Sequence, residues 1–466
     1  MGFGLLVWCL YIVSADLAWE VGRSKILHSI GEPGSWGTVL AWQIGGFLFA
    51  LLVLHLLLAA IAWVLAIAGE PATPVTVTER RVRVGIWFGL LTLWVLVANQ
   101  THFPASEFSS AGWAWVAERR FLGLSPFVAF TISLSVAVAL SLIAAARRLA
   151  PILHRSALAR GTALIFAGLL VIATVSGAGG APDRISAAVD QSRPNVIVIG
   201  IDSLRCDTAV LAEEGSLTPN VDRFVAEAHS FSDVTTPLAR TFGAWVAILT
   251  GQHPVTTNAR FNLMPRELVD AEAALGWTLK RAGYRSLYAT DEVRFANIDQ
   301  SYGFDELIAP TMGASDFLLA KINDLPLTNL LASTRMAETL FPNTYTNRAA
   351  DATYQPREFV NRIGRALPDE QPLFLVAHLT LAHYPYSWAG HAKPEDHPAY
   401  RTGYKAALRE VDQQFADLLG VLKGRGVLDN AVVVLLSDHG EALGFQNDSL
   451  LRGFDDPDML WASLWG

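Results

Sequence analysis

Apolar residues are spread unevenly along this chain, and that unevenness limits its fold more than any other feature. Five apolar stretches, near 3–19, 38–68, 84–99, 125–145 and 161–177, fall in the first 180 of 466 residues. A hydrocarbon core roughly 30 Å thick is crossed by about 20 apolar residues in a helix. The stretches therefore predict an N-terminal α-helical transmembrane bundle of about five spans. The first carries Asp16 and Glu20 near its end. It is read as a span rather than a signal peptide, because it lacks a basic start and a small-residue cleavage site. Trp8, Trp19, Trp42 and Trp63 suit either the membrane interface or ordinary packing within the spans.

Loop charge orients the bundle. The loops after the second and fourth stretches carry seven arginines: Arg80, Arg81, Arg83, Arg147, Arg148, Arg155 and Arg160. The other two loops carry four basic residues: Arg23, Lys25, Arg119 and Arg120. Basic loops stay in the cytoplasm. Five spans then place the N-terminus inside and the residues after 180 outside a bacterial-type cytoplasmic (inner) membrane. The two cysteines, Cys9 and Cys206, fall in different compartments and cannot pair. The net charge of −8 argues against a nucleic-acid partner.

The polar stretch SGAGGAPDRISAAVDQSRP (176–194) marks a linker. The reading is a transmembrane domain over 1–180, a linker over 181–194 and a second domain over 195–466. In that second domain strand and helix patterns alternate. NVIVIGID (195–202), YRSLYAT (284–290), PLFLVAHL (372–379) and AVVVLL (431–436) read as strands. The last is predicted to be buried on both faces, as in a parallel sheet. TPNVDRFVAEA (218–228), 241–250, TLKRAG (278–283), REFVNRIGRAL (357–367) and the repeat from Leu408 to Leu422 read as helices. The alternation predicts an α/β sandwich with a mainly parallel central sheet. Residues 310–356 read as an irregular insertion.

Polar side chains collect at three strand ends, where open α/β sheets place their ligands. Asp202 ends the first strand, His383 follows the third, and Asp438-His439 end the last, in AVVVLLSDHGE. Asp beside His is a metal-ligand pair or an acid/base pair. Singly, Asp202 reads as a turn cap, His383 as a loop histidine and Asp438-His439 as a polar turn. Their coincidence favours a site for one divalent metal ion, with manganese or zinc suiting mixed oxygen and nitrogen ligands better than calcium. In TTPLARTFGAWVAILTG (235–251), Thr241 begins a helix. It reads as a plain N-cap or as a nucleophile activated by a metal or base. Thr235 and Thr236 are rivals, and Arg240 can pair with a phosphate or sulfate oxygen.

The ordered motifs PNVIVIGIDSLRCD, TPNVDRF, RTFGAWVAILTGQHP, GYRSLYAT, YGFD, HYPY and LLSDHGE resemble the sulfatase branch of the alkaline phosphatase superfamily. The chain is similar to its membrane-anchored members, the lipoteichoic acid synthase and phosphoethanolamine transferase types. The motifs cover about residues 194–441, and the first 180 match by architecture alone. The resemblance implies an alkaline-phosphatase-like sandwich. It implies that Asp202, Thr241, Asp438 and His439 bind the metal, that Thr241 is the nucleophile, and that His383 contacts the substrate or leaving group. Sulfatases carry Cys or Ser in Cys-x-Pro-Ser-Arg, nine residues before the Thr of the LTG sequence. Thr241 stands nine before Thr250, and no formylglycine can form there.

The resemblance thus implies a transferase that moves a phosphoglycerol- or phosphoethanolamine-type group through a threonine intermediate. The donor would be a phospholipid headgroup and the acceptor an envelope glycan or lipid. The absence of disulfides in the second domain tilts the choice towards the phosphoglycerol type. Alternatives are a membrane-bound sulfatase or phosphodiesterase, and an inactive scaffold that keeps the fold. Family members continue well past Asp-His-Gly. This chain ends 25 residues after Glu441, so a C-terminally truncated catalytic domain is expected.

Overall fold

A computed structural model describes residues 36–103, 106–110, 126–155, 193–207, 215–310, 324–386 and 397–443, apart from single positions and short gaps within them. They form two compact units, one from residues 1–183 with 317–340, the other from 184–316 with 341–466.

In the first unit, α1 (Trp36–Ala68), α2 (Val77–His102) and α3 (Pro126–Arg155) pack on one another. Among the described residues, two helices are long and apolar enough to cross a membrane: α1, through Leu51–Ala68, and α2. They coincide with the expected spans at 38–68 and 84–99. The apolar part of α3 described here, Val128–Ser141, is shorter. The expected spans at 3–19 and 161–177, with Trp8, Trp19 and Cys9, lie outside the described residues. Leu52, Leu56, Ile61, Trp63 and Val64 of α1 and Val82 and Ile86 of α2 are exposed. Helices apolar on their outer faces as well as their inner ones are at home in lipid rather than water. Thr76 and Glu79 form a reciprocal capping box that starts α2.

Residues 326–332 are not irregular, as expected, but form a helix, α7 (Pro326–Ala332), that packs on α2. A buried polar cluster holds it there. Ser106 Oγ donates to Asp324 Oδ1 at 2.6 Å. Asn329 Nδ2 donates to the same oxygen at 2.7 Å and to Asn99 Oδ1 at 2.8 Å. Hydrophobic periodicity alone misses such a segment, because hydrogen bonds to a distant part of the chain fix it.

The second unit is built on a sheet in the order β3-β2-β4-β1-β5, with every neighbouring pair parallel. The strands are β1 (Asn195–Ile201), β2 (Arg285–Thr290), β3 (Glu306–Ile308), β4 (Leu373–Leu379) and β5 (Ala431–Leu436). Successive residues point to opposite faces. Ile197, Ile199 and Ile201 pack with Phe359, Ile363, Val411 and Phe415 of α8 (Pro356–Ala366) and α9 (His397–Gly424). Val198 and Val376 pack with Phe242, Trp245 and Leu249 of α5 (Thr241–Thr250) on the other face. The sheet is thus covered on both faces by helices.

One strand departs from expectation. AVVVLL of β5 is not buried on both faces, since Val432 is 51% and Val434 39% exposed. Among the described residues the strand lies at the sheet edge, and local composition carries no information about how many neighbours a strand has.

Two contacts fix the parts nearest the strand ends. Gly200 lets Trp245 lie on the sheet, because a Cβ there would come within 2.4 Å of Trp245 Cζ2. Asp412 of α9 accepts from the backbone N–H groups of Asn220 and Val221, closing the open N-terminus of α4 (Pro219–Ala226). We expect Gly200→Ala to cost about 1–3 kcal/mol, as overpacking does. Asp412→Ala should cost about 1 kcal/mol. Both are read as falls in the denaturation midpoint, and an unchanged midpoint for Gly200→Ala would refute the close packing of Trp245.

Candidate metal and nucleophile site

β1 and β5 are adjacent and parallel with Gly200 opposite Leu436, so Asp202 and Asp438, each two residues on, meet at one end of the sheet. Both are buried. The turn after β1 is held in an unusual conformation: Ser203 has φ 59°, in the left-handed region. Tyr404 donates to the Ser203 carbonyl at 2.8 Å and helps fix it there. In that geometry Ser203 touches both carboxylates. Its Oγ donates to Asp202 Oδ1 at 2.9 Å and its N–H to Asp438 Oδ1 at 3.3 Å. Asp438 Oδ1 also accepts from the His439 N–H at 2.9 Å, while Asp438 Oδ2 has no hydrogen-bond partner.

His439 approaches from the turn after β5. Its Nδ1 lies 2.8 Å from the Gly440 carbonyl, which can only accept, so Nδ1 carries the proton and Nε2 is turned to the carboxylates. Nε2 lies 3.7 Å from Asp202 Oδ1 and 3.7 Å from Asp438 Oδ2. It is 3.2 Å from Thr241 Oγ1. Thr241 is the first residue of α5 and is buried. Gly251, at φ 66°, ends that helix. Of the three candidate threonines, Thr241 is the one beside His439. Thr236 donates to the Leu238 carbonyl, and Thr235 is exposed.

His383 faces the same point. Its Nδ1 lies 2.7 Å from the Tyr384 carbonyl, which again leaves Nε2 free. Its ring lies 6.0 Å from that of His439 and stacks on Phe295. Arg348 donates to the His383 carbonyl and so ties this loop to the 344–350 segment. Arg240 precedes Thr241. Among the described residues its guanidinium has no partner, and burial without a counter-charge lowers its pKa. Arg240, Thr241, His383, Asp438 and His439 line one cavity of about 2080 Å³.

The sequence-predicted residues Asp202, Arg240, Thr241, His383, Asp438 and His439 therefore converge. Two further residues join them that the sequence did not single out. Ser203 left no signal beyond its place after a strand. His378 is fully buried within β4, with Nε2 3.4 Å from Asp202 Oδ2 and 3.9 Å from Asp438 Oδ2. A histidine on the apolar run PLFLVAHL was the one available clue.

Charge explains the electrostatics of the cluster. Burial raises Asp438, and the Asp202 charge raises it further. Burial opposes ionisation of Asp202 too, but the neighbouring His383, His378 and His439 hold it below the ordinary range. Burial disfavours a charged His439, yet Asp438 and then Asp202 carry its pKa up to about 9. Two carboxylates and the imidazoles offer ligand atoms within 4.8 Å of one another, in the groups Asp202, His383, His439 and Asp202, His378, Asp438. Asp438 Oδ2 and His378 Nε2 are buried without hydrogen-bond partners, as atoms awaiting a cation would be. The donor set fits a divalent ion that accepts both oxygen and nitrogen.

The family model described as Sulfatase matches residues 194–462. Human N-acetylgalactosamine-6-sulfatase is 28% identical over 290 residues, covering 57% of this chain and 52% of its own length. The dog protein of the same name is 27% identical over 296 residues, covering 59% of this chain and 54% of its own length. The chain spans about half the length of the curated relatives it matches. Among solved structures, the integral membrane protein lipooligosaccharide phosphoethanolamine transferase A from Neisseria meningitidis aligns over 97% of this chain and 84% of its own. The identity there is 16% and the TM-score 0.35.

The carboxylate pair makes an opposed prediction for stability and binding. Asp438→Asn should raise the melting temperature of the chelator-treated protein, by removing repulsion with Asp202. It should also abolish the rise of roughly 5–10 °C that the unaltered chain gains from manganese at 100 times its Kd. A variant that still responds fully to manganese would remove Asp438 from the metal site.

Proposed function

Given that this chain belongs to the sulfatase family, we propose that it is a metal-dependent transferase that moves a phospho-substituent from a lipid headgroup. The group passes through Thr241 to an extracytoplasmic acceptor. One observation carries this reading: a buried threonine hydroxyl, 3.2 Å from His439 Nε2, stands at the start of α5 beside Arg240, which has no partner among the described residues. The nearer described cysteine in sequence, Cys206, is exposed and lies at another turn. A helix N-terminus and Arg240 suit a tetrahedral anion.

Asp202, Thr241, Asp438 and His439 would hold the metal. When bound, the ion lowers the pKa of the Thr241 hydroxyl and offsets the charge of the donor phosphate. The Thr241 alkoxide attacks the donor phosphorus, and the bond from phosphorus to the diacylglycerol oxygen breaks. His383 Nε2, in its imidazolium form, protonates that oxygen. The acceptor hydroxyl then gives its proton to His383 Nε2 and attacks the phosphothreonine. The bond to Thr241 breaks, the alkoxide returns, and His383 is protonated again. Arg240 pairs with a phosphate oxygen in both steps. The Nδ1 contact of His383 with the Tyr384 carbonyl keeps Nε2 aimed at the reacting atoms.

α1 and α2 supply an anchor suited to a lipid donor. In this reading the remaining apolar stretches complete a multi-pass bundle of about five spans, with the catalytic domain outside an inner membrane. The transferred group is of the phosphoglycerol or phosphoethanolamine type, and the acceptor is an envelope glycan or lipid. The ion is manganese or zinc. A second reading, hydrolysis of a sulfuric or phosphoric ester with water as acceptor, is favoured by the 28% identity to a protein named a sulfatase.

Intact-mass measurement of the full chain after incubation with phosphatidylglycerol or phosphatidylethanolamine vesicles should show an adduct that Thr241→Ala lacks. His383→Gln should slow adduct formation by about 10²–10⁴-fold. Turnover of sulfate esters without any phosphodiester turnover would replace the transferase reading with the sulfatase one.

A further inference from the structure

The buried histidine of β4 has no role in the mechanism above, and its surroundings are unusual. His378 pairs across the sheet with Gly200 of β1 and Thr290 of β2. Its ring lies 4.8 Å from that of Trp245, and no part of it reaches solvent. Its Nδ1 is 3.4 Å from Thr290 Oγ1. That hydroxyl already donates to the Glu292 carbonyl at 2.9 Å, so it turns a lone pair towards the ring. Nδ1 therefore carries a proton, and Nε2 faces Asp202 and Asp438. Two buried carboxylates around an imidazole nitrogen favour positive charge between them, whether a proton or a metal ion.

The distances fit a cation better than hydrogen bonds. Charge-assisted N–H···O bonds run to about 2.9 Å. His378 Nε2 is 3.4 Å from Asp202 Oδ2 and 3.9 Å from Asp438 Oδ2, and Nε2 makes no hydrogen bond. Ligand atoms that each lie roughly 2.0–2.2 Å from one ion are themselves roughly 3–4 Å apart. Asp202 also divides its oxygens: Oδ1 faces His439 at 3.7 Å and Oδ2 faces His378. Asp438 Oδ2 lies between the two imidazoles and has no other partner.

We propose that His378 is a ligand of the divalent ion, reaching it from β4 on the sheet face that packs against Trp245 of α5. The inference rests on the metal-dependent reading above and adds a ligand that this reading does not contain. A second imidazole makes the site more selective for manganese or zinc over calcium, which prefers oxygen alone.

The test uses the full chain in detergent, labelled with ¹⁵N-histidine, stripped with chelator and loaded with one equivalent of Mn(II). Pulsed electron paramagnetic resonance counts the imidazole nitrogens bound to manganese. In His383→Gln, two nitrogens should remain, from His439 and His378. In His378→Gln the count should fall by one from that of the unaltered chain. Its manganese Kd should also rise by more than the roughly 10–100-fold typical of losing an outer-shell partner. A single nitrogen in His383→Gln overturns the proposal, and this outcome does not depend on whether the buried variant folds. An unchanged count in folded His378→Gln overturns it as well. Failure of the unaltered chain to bind manganese refutes the metal-dependent reading itself, and a count that excludes His378 refutes only the ligand assignment.

Discussion

Two carboxylates that cannot avoid each other set the terms for the rest of this site. The β1–β5 register brings Asp202 and Asp438 together, and both side chains are buried. Their oxygens lie within 4.8 Å. At an effective dielectric near 20, two like charges at that separation repel by roughly 3–4 kcal/mol. A small excess of stability holds any fold, so such a cost needs compensation. The surrounding residues supply it in part. Ser203 adopts a left-handed conformation that aims its hydroxyl and its N–H at one carboxylate each. Three imidazoles face the pair from different elements. The shortfall that remains is one that a divalent cation can fill, and the unpaired Asp438 Oδ2 is where it shows.

The parallel pairing of β1 and β5 produces this meeting, because the residues that follow both strands fall on the same side of the sheet. α5 must then start where they end, so that Thr241 faces them. Gly200 allows this, because Trp245 of α5 lies where any larger side chain would stand. The position of Thr241 is thereby coupled to a packing contact in the core. It does not depend on a loop.

Much of this was legible in the sequence because it follows from local pattern. The strand at 195–202 and the helix at 357–367 show their periods plainly, and Asp202, Asp438 and His439 stand directly after apolar runs. Thr241 was legible through its spacing to Thr250, which only the family resemblance made meaningful. What stayed hidden depends on neighbours distant in sequence. Whether AVVVLL is a central or an edge strand is a property of strand order. His378 looked like one polar residue on a buried strand until β1 and β5 brought two carboxylates to it. α7 was unreadable for the same reason, since Asp324 and Asn329 find their partners more than 200 residues earlier in the chain.

The choice between phosphoryl and sulfuryl chemistry does not lie in the anion pocket. A phosphodiester and a sulfate monoester are both tetrahedral and both carry one negative charge. Arg240 and the start of α5 would greet either alike. The distinction lies in the atom that attacks. An aldehyde hydrate can expel sulfate by collapsing back to a carbonyl, so water at sulfur is never needed. A threonine ester has no such exit. It must be opened by a second nucleophile at the central atom, and that nucleophile must be admitted to the site. The cavity of about 2080 Å³ beside Thr241 has room for one of substantial size. On the proposed reading, an ester on Thr241 in this open cavity suits group transfer, with water as the smallest acceptor it could take.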